Sequence, residues 1–336
     1  NGFLLLLFHF SCRDIVYLSI PPHYWQDATA PASTSGHFPC SMNASPTPLL
    51  LHSLSEFHEL LDLLLVAHGG SAIAEVGAEL GLLTRSLIQK LEDGKLSRLT
   101  VIDPKPSPDL SEYVASRGDL GNRLTLQRKP SLEAIPLAGL HDCFLLDGDH
   151  NYYTVFNELV AIARLTTPGD RYPMVLVHDV GWPCGRRDLY YAPGDIPPHA
   201  RHCHEYSAGV HIDVPGVVSG GFRGEGAFAF AQTEGGGANG VLTAIEDFLA
   251  TRPDLDQRIL PAIFGLAIIA PKDDQALAAF DAAGASGPLR PLLERMEDNR
   301  LRLYLRVLEL QDQLTQQAER TLWDILKDRV RQLWSR

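Results

Sequence analysis

A chain of 336 residues with 45% apolar and 21% charged content is long enough to bury a substantial core, either as one large α/β domain with extensions or as two small ones. Its 41 acidic residues against 29 basic ones give a net charge of -12, which excludes an extended nucleic-acid surface. The run FLLLLFHF from Phe3 is far shorter than the roughly 20 residues of a membrane span and lacks a basic flank, so neither a membrane partner nor a targeting segment is expected.

Residues 1–48 are rich in Pro, Ser, Thr and His without apolar periodicity, which predicts a poorly ordered extension. Met42 is the first methionine, and the native start is expected there. From Ser55 to Ala67, SEFHELLDLLLVA carries apolar residues at helical spacing behind a serine cap. SAIAEV is then a short apolar strand, GAELGLLTRSLIQKLEDGK a glycine turn opening an amphipathic helix, and RLTVIDP a second strand ending in an acid.

The alternation continues through a strand at Arg123–Gln127, a short helix at SLEAIPLAG, the strand DCFLLD, the helix YTVFNELVAIARL and the strand MVLVHDV. Strands with nearly continuous apolar cores, separated by helices, predict a Rossmann-like doubly wound, mostly parallel sheet with helices on both faces. Residues 49–275 are assigned to this domain. Within it, 181–240 breaks the rhythm with Gly, Pro, His and aromatic residues and is expected to be an insertion covering the substrate. RILPAIFGLAIIAP offers one or two closing strands. Residues 286–336 form a C-terminal helical extension, with Leu303, Val307, Leu310 and Leu314 on one stripe suited to packing on the domain or to a homo-oligomer contact.

Ligands of such sheets bind at the carboxyl ends of the strands. In AEVGAELG, Gly77 allows a tight turn after Glu75 and Gly81 allows the next helix to approach a ligand with its positive end. The motif is neither GxGxxG nor a P-loop, which disfavours a dinucleotide. Asp103, at the end of the second strand, is placed to accept hydrogen bonds from ribose hydroxyls.

On these residues the chain resembles the class I S-adenosylmethionine-dependent methyltransferases, over roughly residues 55–271. The resemblance implies that Glu75, Gly77, Gly81, Asp103 and Asp147 face the cofactor, S-adenosylmethionine. Glu79 stands where many members carry a middle glycine. LLDGDHNYY and VHDV look like the corresponding segments of small-molecule O-methyltransferases of the macrolide-sugar and catechol type, and of cephalosporin-hydroxylase-like proteins. That likeness implies a divalent metal, Mg²⁺ or another, on Asp147, Asp149 and Asp179; His178 stands where an acid is usual.

His150 and His178 are the candidate general bases, because an imidazole titrates near neutrality. In GWPCGRRDLYY, Trp182, Tyr190 and Tyr191 offer flat apolar faces and Arg186 and Arg187 rigid forks, so these five are expected at a small-molecule acceptor, with loop stabilisation as the alternative. HARHCH has no zinc-ligand spacing. Five cysteines, odd in number and widely spread, point to a reducing, cytoplasmic setting. The expected activity is methyl transfer to a hydroxyl of a sugar or natural-product-type small molecule. A metal-dependent hydroxylase or hydrolase using Asp147, His178, Asp179 and His150 is the alternative, and a non-catalytic binding module a third reading.

Overall fold

The computed structural model describes residues 49–334 except 168 and 285. The extension expected over 1–48, with Met42 and the apolar run from Phe3, lies outside the described residues. From His52 onward the chain belongs to one compact unit.

The unit is built on a seven-stranded sheet. Its strands are β1 (Ala72–Val76), β2 (Arg98–Ile102), β3 (Leu124–Gln127), β4 (Cys143–Leu146), β5 (Met174–His178), β11 (Leu255–Leu260) and β12 (Leu266–Pro271). They lie in the order β11-β12-β5-β4-β1-β2-β3, and β3, β2, β1, β4 and β5 are mutually parallel. The closing segment forms an antiparallel hairpin, with β12 running antiparallel to β5 and β11 antiparallel to β12. Two residues per side-chain repeat divide each strand between two cores. Ile73, Cys143, Leu145, Met174, Leu176 and Ile268 enter one apolar cluster with α1 (His58–His68), α2 (Leu82–Glu92), α3 (Pro108–Ala115) and α7 (Gln275–Ala282). Ala74, Phe144, Leu146, Val175, Val177 and Ile269 enter the other with α4 (Ser131–Ala138), α5 (Tyr152–Leu165) and α6 (Val241–Ala250). Covering on both faces explains why the strand sequences read as apolar runs instead of alternating ones.

Between β5 and α6 the chain forms two small sheets. The short strands β6 (Leu189–Tyr190), β7 (His204–Glu205) and β10 (Ala229–Ala231) make one in the order β6-β10-β7, and the hairpin β8 (Gly209–His211) with β9 (Val214–Val218) makes the other. The C-terminal helix α8 spans Arg290–Trp334. Its stripe differs from the one expected: Leu301 and Leu305 are buried, whereas Leu303, Leu310 and Leu314 are exposed. The reason is what the helix packs on: Leu301 and Leu305 lie one turn apart beside Tyr304, which meets Phe222 edge-on, and Arg300, which covers Phe264, while Arg302 reaches Asp213 at 2.8 Å and Asp312 receives Arg223 at 2.6 Å. No helix among the described residues is long and apolar enough to cross a membrane.

Glu158, on α5, is buried at 1% exposure and its Oε1 has no hydrogen-bond partner. Burial pushes its carboxyl up to about 8, against the opposing hydrogen bond from Ser131. The folded state therefore keeps a proton that the unfolded chain releases above its ordinary value. The associated stability is complete below about 4.5 and is lost as pH rises through about 8. Glu158→Gln should thus gain in unfolding free energy relative to the parent, by a few kcal/mol, between acid and mildly alkaline pH. Urea unfolding at several pH values checks it, and a pH-independent difference would contradict it.

Candidate active site

The carboxyl ends of β1, β2, β4 and β5 meet at one place. After β1, Gly77 turns at φ 83° with its N–H donating to Ile102 O at 2.9 Å. A Cβ at this position would lie 2.2 Å from Asp147 O, so the first and fourth strand ends can approach only because the residue is glycine. Gly81, at φ 78°, is the N-cap of α2, and a Cβ there would strike Leu110. Glu79, between them, is a non-glycine residue at φ 48°.

Asp103 is buried and locks the second strand end onto this turn. Its Oδ2 accepts from Ala78 N at 3.0 Å and its Oδ1 from Lys105 N at 2.7 Å, which leaves lone pairs on both oxygens. A cavity opens beside the turn, walled by Ser53, Leu54, Glu75, Gly77, Glu79 and Asp147 among others. Glu75 is 2% exposed with Oε2 unpartnered, and burial drives its carboxyl up to about 8, with Asp147 and Asp103 adding to the effect of burial and Thr84 opposing it. A glycine cradle beside an orphaned buried carboxyl fits a ligand that brings its own polar groups.

Next to this cavity lies the cluster from DGDH and VHD. His178, at the end of β5, is fully buried. Its Nε2 lies 2.8 Å from Ile263 O, and its Nδ1 lies 3.0 Å from Asp147 Oδ1 and 3.4 Å from Asp179 Oδ2. A carbonyl oxygen only accepts, so Nε2 donates. Burial favours the neutral ring, but Asp147 and Asp179 outweigh it and hold the imidazole well above its ordinary pKa. Asp179 sits at φ 59° and, although burial opposes it, His150 and His178 keep its carboxyl below the usual range. His150 places Nδ1 3.3 Å from Asp179 Oδ2 and turns an edge toward Tyr191, with ring centroids 5.8 Å apart.

Several expected roles change. His178 is poorly placed as a base, since its Nε2 donates to Ile263 O and its Nδ1 faces two carboxylates. A two-histidine, one-carboxylate triad is not assembled among the described residues, because the converging set holds one histidine. Asp149 faces α5, where its Oδ2 accepts from Thr154 at 2.9 Å, so it does not accompany Asp147 and Asp179. The ligand atoms that converge are those of Asp147, His150 and Asp179, all within 4.8 Å of one another.

The loop after β5 is mostly scaffold. Arg186 makes two hydrogen bonds to Glu246 at 2.6 and 2.7 Å. Arg187, 1% exposed, donates to Ala231 O at 2.5 Å and Pro215 O at 2.6 Å. Tyr190 is buried with its hydroxyl donating to Asp188, and Asp188 also accepts from Tyr152 N and Gly240 N. These side chains close the loop because buried charge must be partnered. Trp182 packs against Phe222, and of the five only Tyr191 stands beside the cluster, 49% exposed. Asp188 and Ile263 carry no signal in the sequence, because they act through Tyr152, Gly240 and His178, which are remote in the chain.

Residues 74–180 match the profile of a family described as a methyltransferase domain. No curated protein matches this chain. Among solved structures, the S-adenosylhomocysteine-bound methyltransferase PaMTH1 of Podospora anserina is 17% identical, with a TM-score of 0.37 over 64% of this chain and 78% of that one. A methyltransferase from Geobacter sulfurreducens is 13% identical, with a TM-score of 0.35 over 67% and 82%.

Gly77→Ala should cost both stability and affinity for the adenosyl ligand by orders of magnitude, because a Cβ meets backbone. Gly94→Ala also changes a positive-φ glycine but has nothing within 4 Å, and should change affinity little. Calorimetric titration of both variants checks the contrast.

Proposed function

We propose that this chain, whose residues 74–180 match a family described as a methyltransferase domain, is a class I S-adenosylmethionine-dependent methyltransferase that methylates a hydroxyl of a small molecule at the Asp147–His150–Asp179 cluster. The observation that carries the reading is the position of His150. Among the described residues it is the one imidazole of the cluster whose second nitrogen is not committed to a protein acceptor, and it lies with Asp147, a wall of the cavity at the glycine turn.

When bound, S-adenosylmethionine supplies a methyl group already activated on a sulfonium. The protein has to bind it, orient the acceptor and remove one proton. Gly77 and Gly81 give the close approach, Asp103 presents two acceptor oxygens for ribose hydroxyls, and Glu75 and Asp147 offer polar partners at the cavity wall. Asp179 holds His150 by Nδ1, which leaves Nε2 as the group that would take the proton of the acceptor hydroxyl. Tyr191, between His150 and Phe228, gives the acceptor a flat apolar wall.

A divalent metal is a second reading, favoured by the convergence of the three ligand atoms. Two carboxylates and an imidazole suit a borderline ion such as Mn²⁺ or Zn²⁺ better than Mg²⁺, which favours oxygen. Bound there, an ion would lower the pKa of an acceptor hydroxyl, and Asp147, His150 and Asp179 would hold it. The free thiols Cys143, Cys184 and Cys203 accord with a cytoplasmic setting.

His150→Gln should lower kcat by about 10²–10⁴-fold with cofactor affinity preserved, while Asp103→Ala should abolish cofactor binding. The assay is acceptor-dependent release of S-adenosylhomocysteine over a panel of hydroxylated small molecules, with calorimetry for binding. Full activity of the His150 variant would refute the base assignment. Loss of activity on chelation, restored by Mn²⁺ or Zn²⁺, would select the metal reading.

A further inference from the structure

The turn between β11 and β12 places two consecutive non-glycine residues, Ile263 at φ 50° and Phe264 at φ 63°, in the left-handed region. Such a conformation is unfavourable for a β-branched and for an aromatic residue, and it persists only where surrounding contacts impose it. Those contacts come from two sides. From the segment after β5, Gly181 N donates to Phe264 O at 2.5 Å and Val180 N to Gly265 O at 3.4 Å. From α8, Glu297 Oε1 accepts from Phe264 N at 2.9 Å.

Glu297 is itself held. Arg300 donates to both of its oxygens, at 2.7 and 2.6 Å, and lays its guanidinium 4.9 Å from the centroid of the Phe264 ring. The carbonyl of Ile263, immediately before the clamped amide, receives the Nε2–H of His178. His178 in turn spans Asp147 and Asp179, and Asp179 meets His150.

We propose that Glu297, on the C-terminal helix, is a positioning residue of the reaction centre, fixing the Ile263–Phe264 turn whose carbonyl seats His178 between Asp147 and Asp179. The alternative of a merely structural helix contact makes a different prediction, because α8 has other ties to the fold. Arg302 with Asp213 is one, and it touches neither the turn nor His178. That these carboxylates serve the reaction rests on the proposed methyltransferase function; that Glu297 seats His178 does not.

The test reads His178 directly. In the full chain labelled with ¹⁵N-histidine, a buried Nε2–H bonded to a carbonyl gives a downfield, slowly exchanging proton signal, assigned by its absence in His178→Gln. Glu297→Ala should shift that signal and speed its exchange by about tenfold or more, the equivalent of one lost hydrogen bond. Glu297→Gln, which keeps an acceptor for Phe264 N, should largely restore it, and Arg302→Ala should leave it unmoved even if the melting temperature falls. Should Glu297→Ala not fold, Arg300→Ala, which loosens Glu297 and uncovers Phe264, should give the same shift in weaker form. An unchanged signal in the folded Glu297 variant, or an equal change in Arg302→Ala, would overturn the proposal. Calorimetry with S-adenosylmethionine on the parent protein tests the functional reading separately, since failed binding there would leave the His178 result standing.

Discussion

The arrangement depends most on one buried ring. His178 is fully buried, and three protein oxygens surround it: the carboxylates of Asp147 and Asp179, which raise its pKa against the effect of burial, and the carbonyl of Ile263. Each partner belongs to a different element, the ends of β4 and β5 and the turn between β11 and β12. Losing a carboxylate would weaken the pairing of the buried ring and losing the carbonyl would orphan its buried Nε2–H, so the three elements are held at a common edge by the cost of separating them.

This constraint also sets what the remaining groups can do. Because His178 faces both carboxylates from the inside, their outward reach is shared with His150, which sits beside Asp147 of the cavity wall. Two histidines in neighbouring motifs are thus held differently: His178 sets both ring nitrogens against protein oxygens, whereas among the described residues His150 meets Asp179 through Nδ1 alone. The loop after β5 divides in the same way, with Arg186, Arg187, Asp188 and Tyr190 satisfying one another and the backbone while Tyr191 stays at the site.

The glycine turn is the complementary constraint. The 2.2 Å that a Cβ at Gly77 would leave to Asp147 O means that the ends of β1 and β4 meet through backbone contact alone. Asp103 then seals the second strand to the same turn through Ala78 N. Distances within the site are short because little side-chain volume lies between the strands that form it.

Much of this was legible in the residues themselves. Apolar runs such as CFLL and MVLV required strands covered on both faces, and the glycines of GAELG with the acid of LTVID located a ligand site at the strand ends, because period, apolarity and glycine freedom are local properties. What the tertiary structure decided was which polar group meets which. No spacing could show that His178 faces a carbonyl 85 residues downstream, that Asp149 turns to Thr154 instead of Asp147, or that Leu301 and Leu305, not Leu303 and Leu310, face inward on α8. Protonation state, ligand sets and the buried face of a long helix arise from contacts between distant segments, and those exist only once the chain has packed.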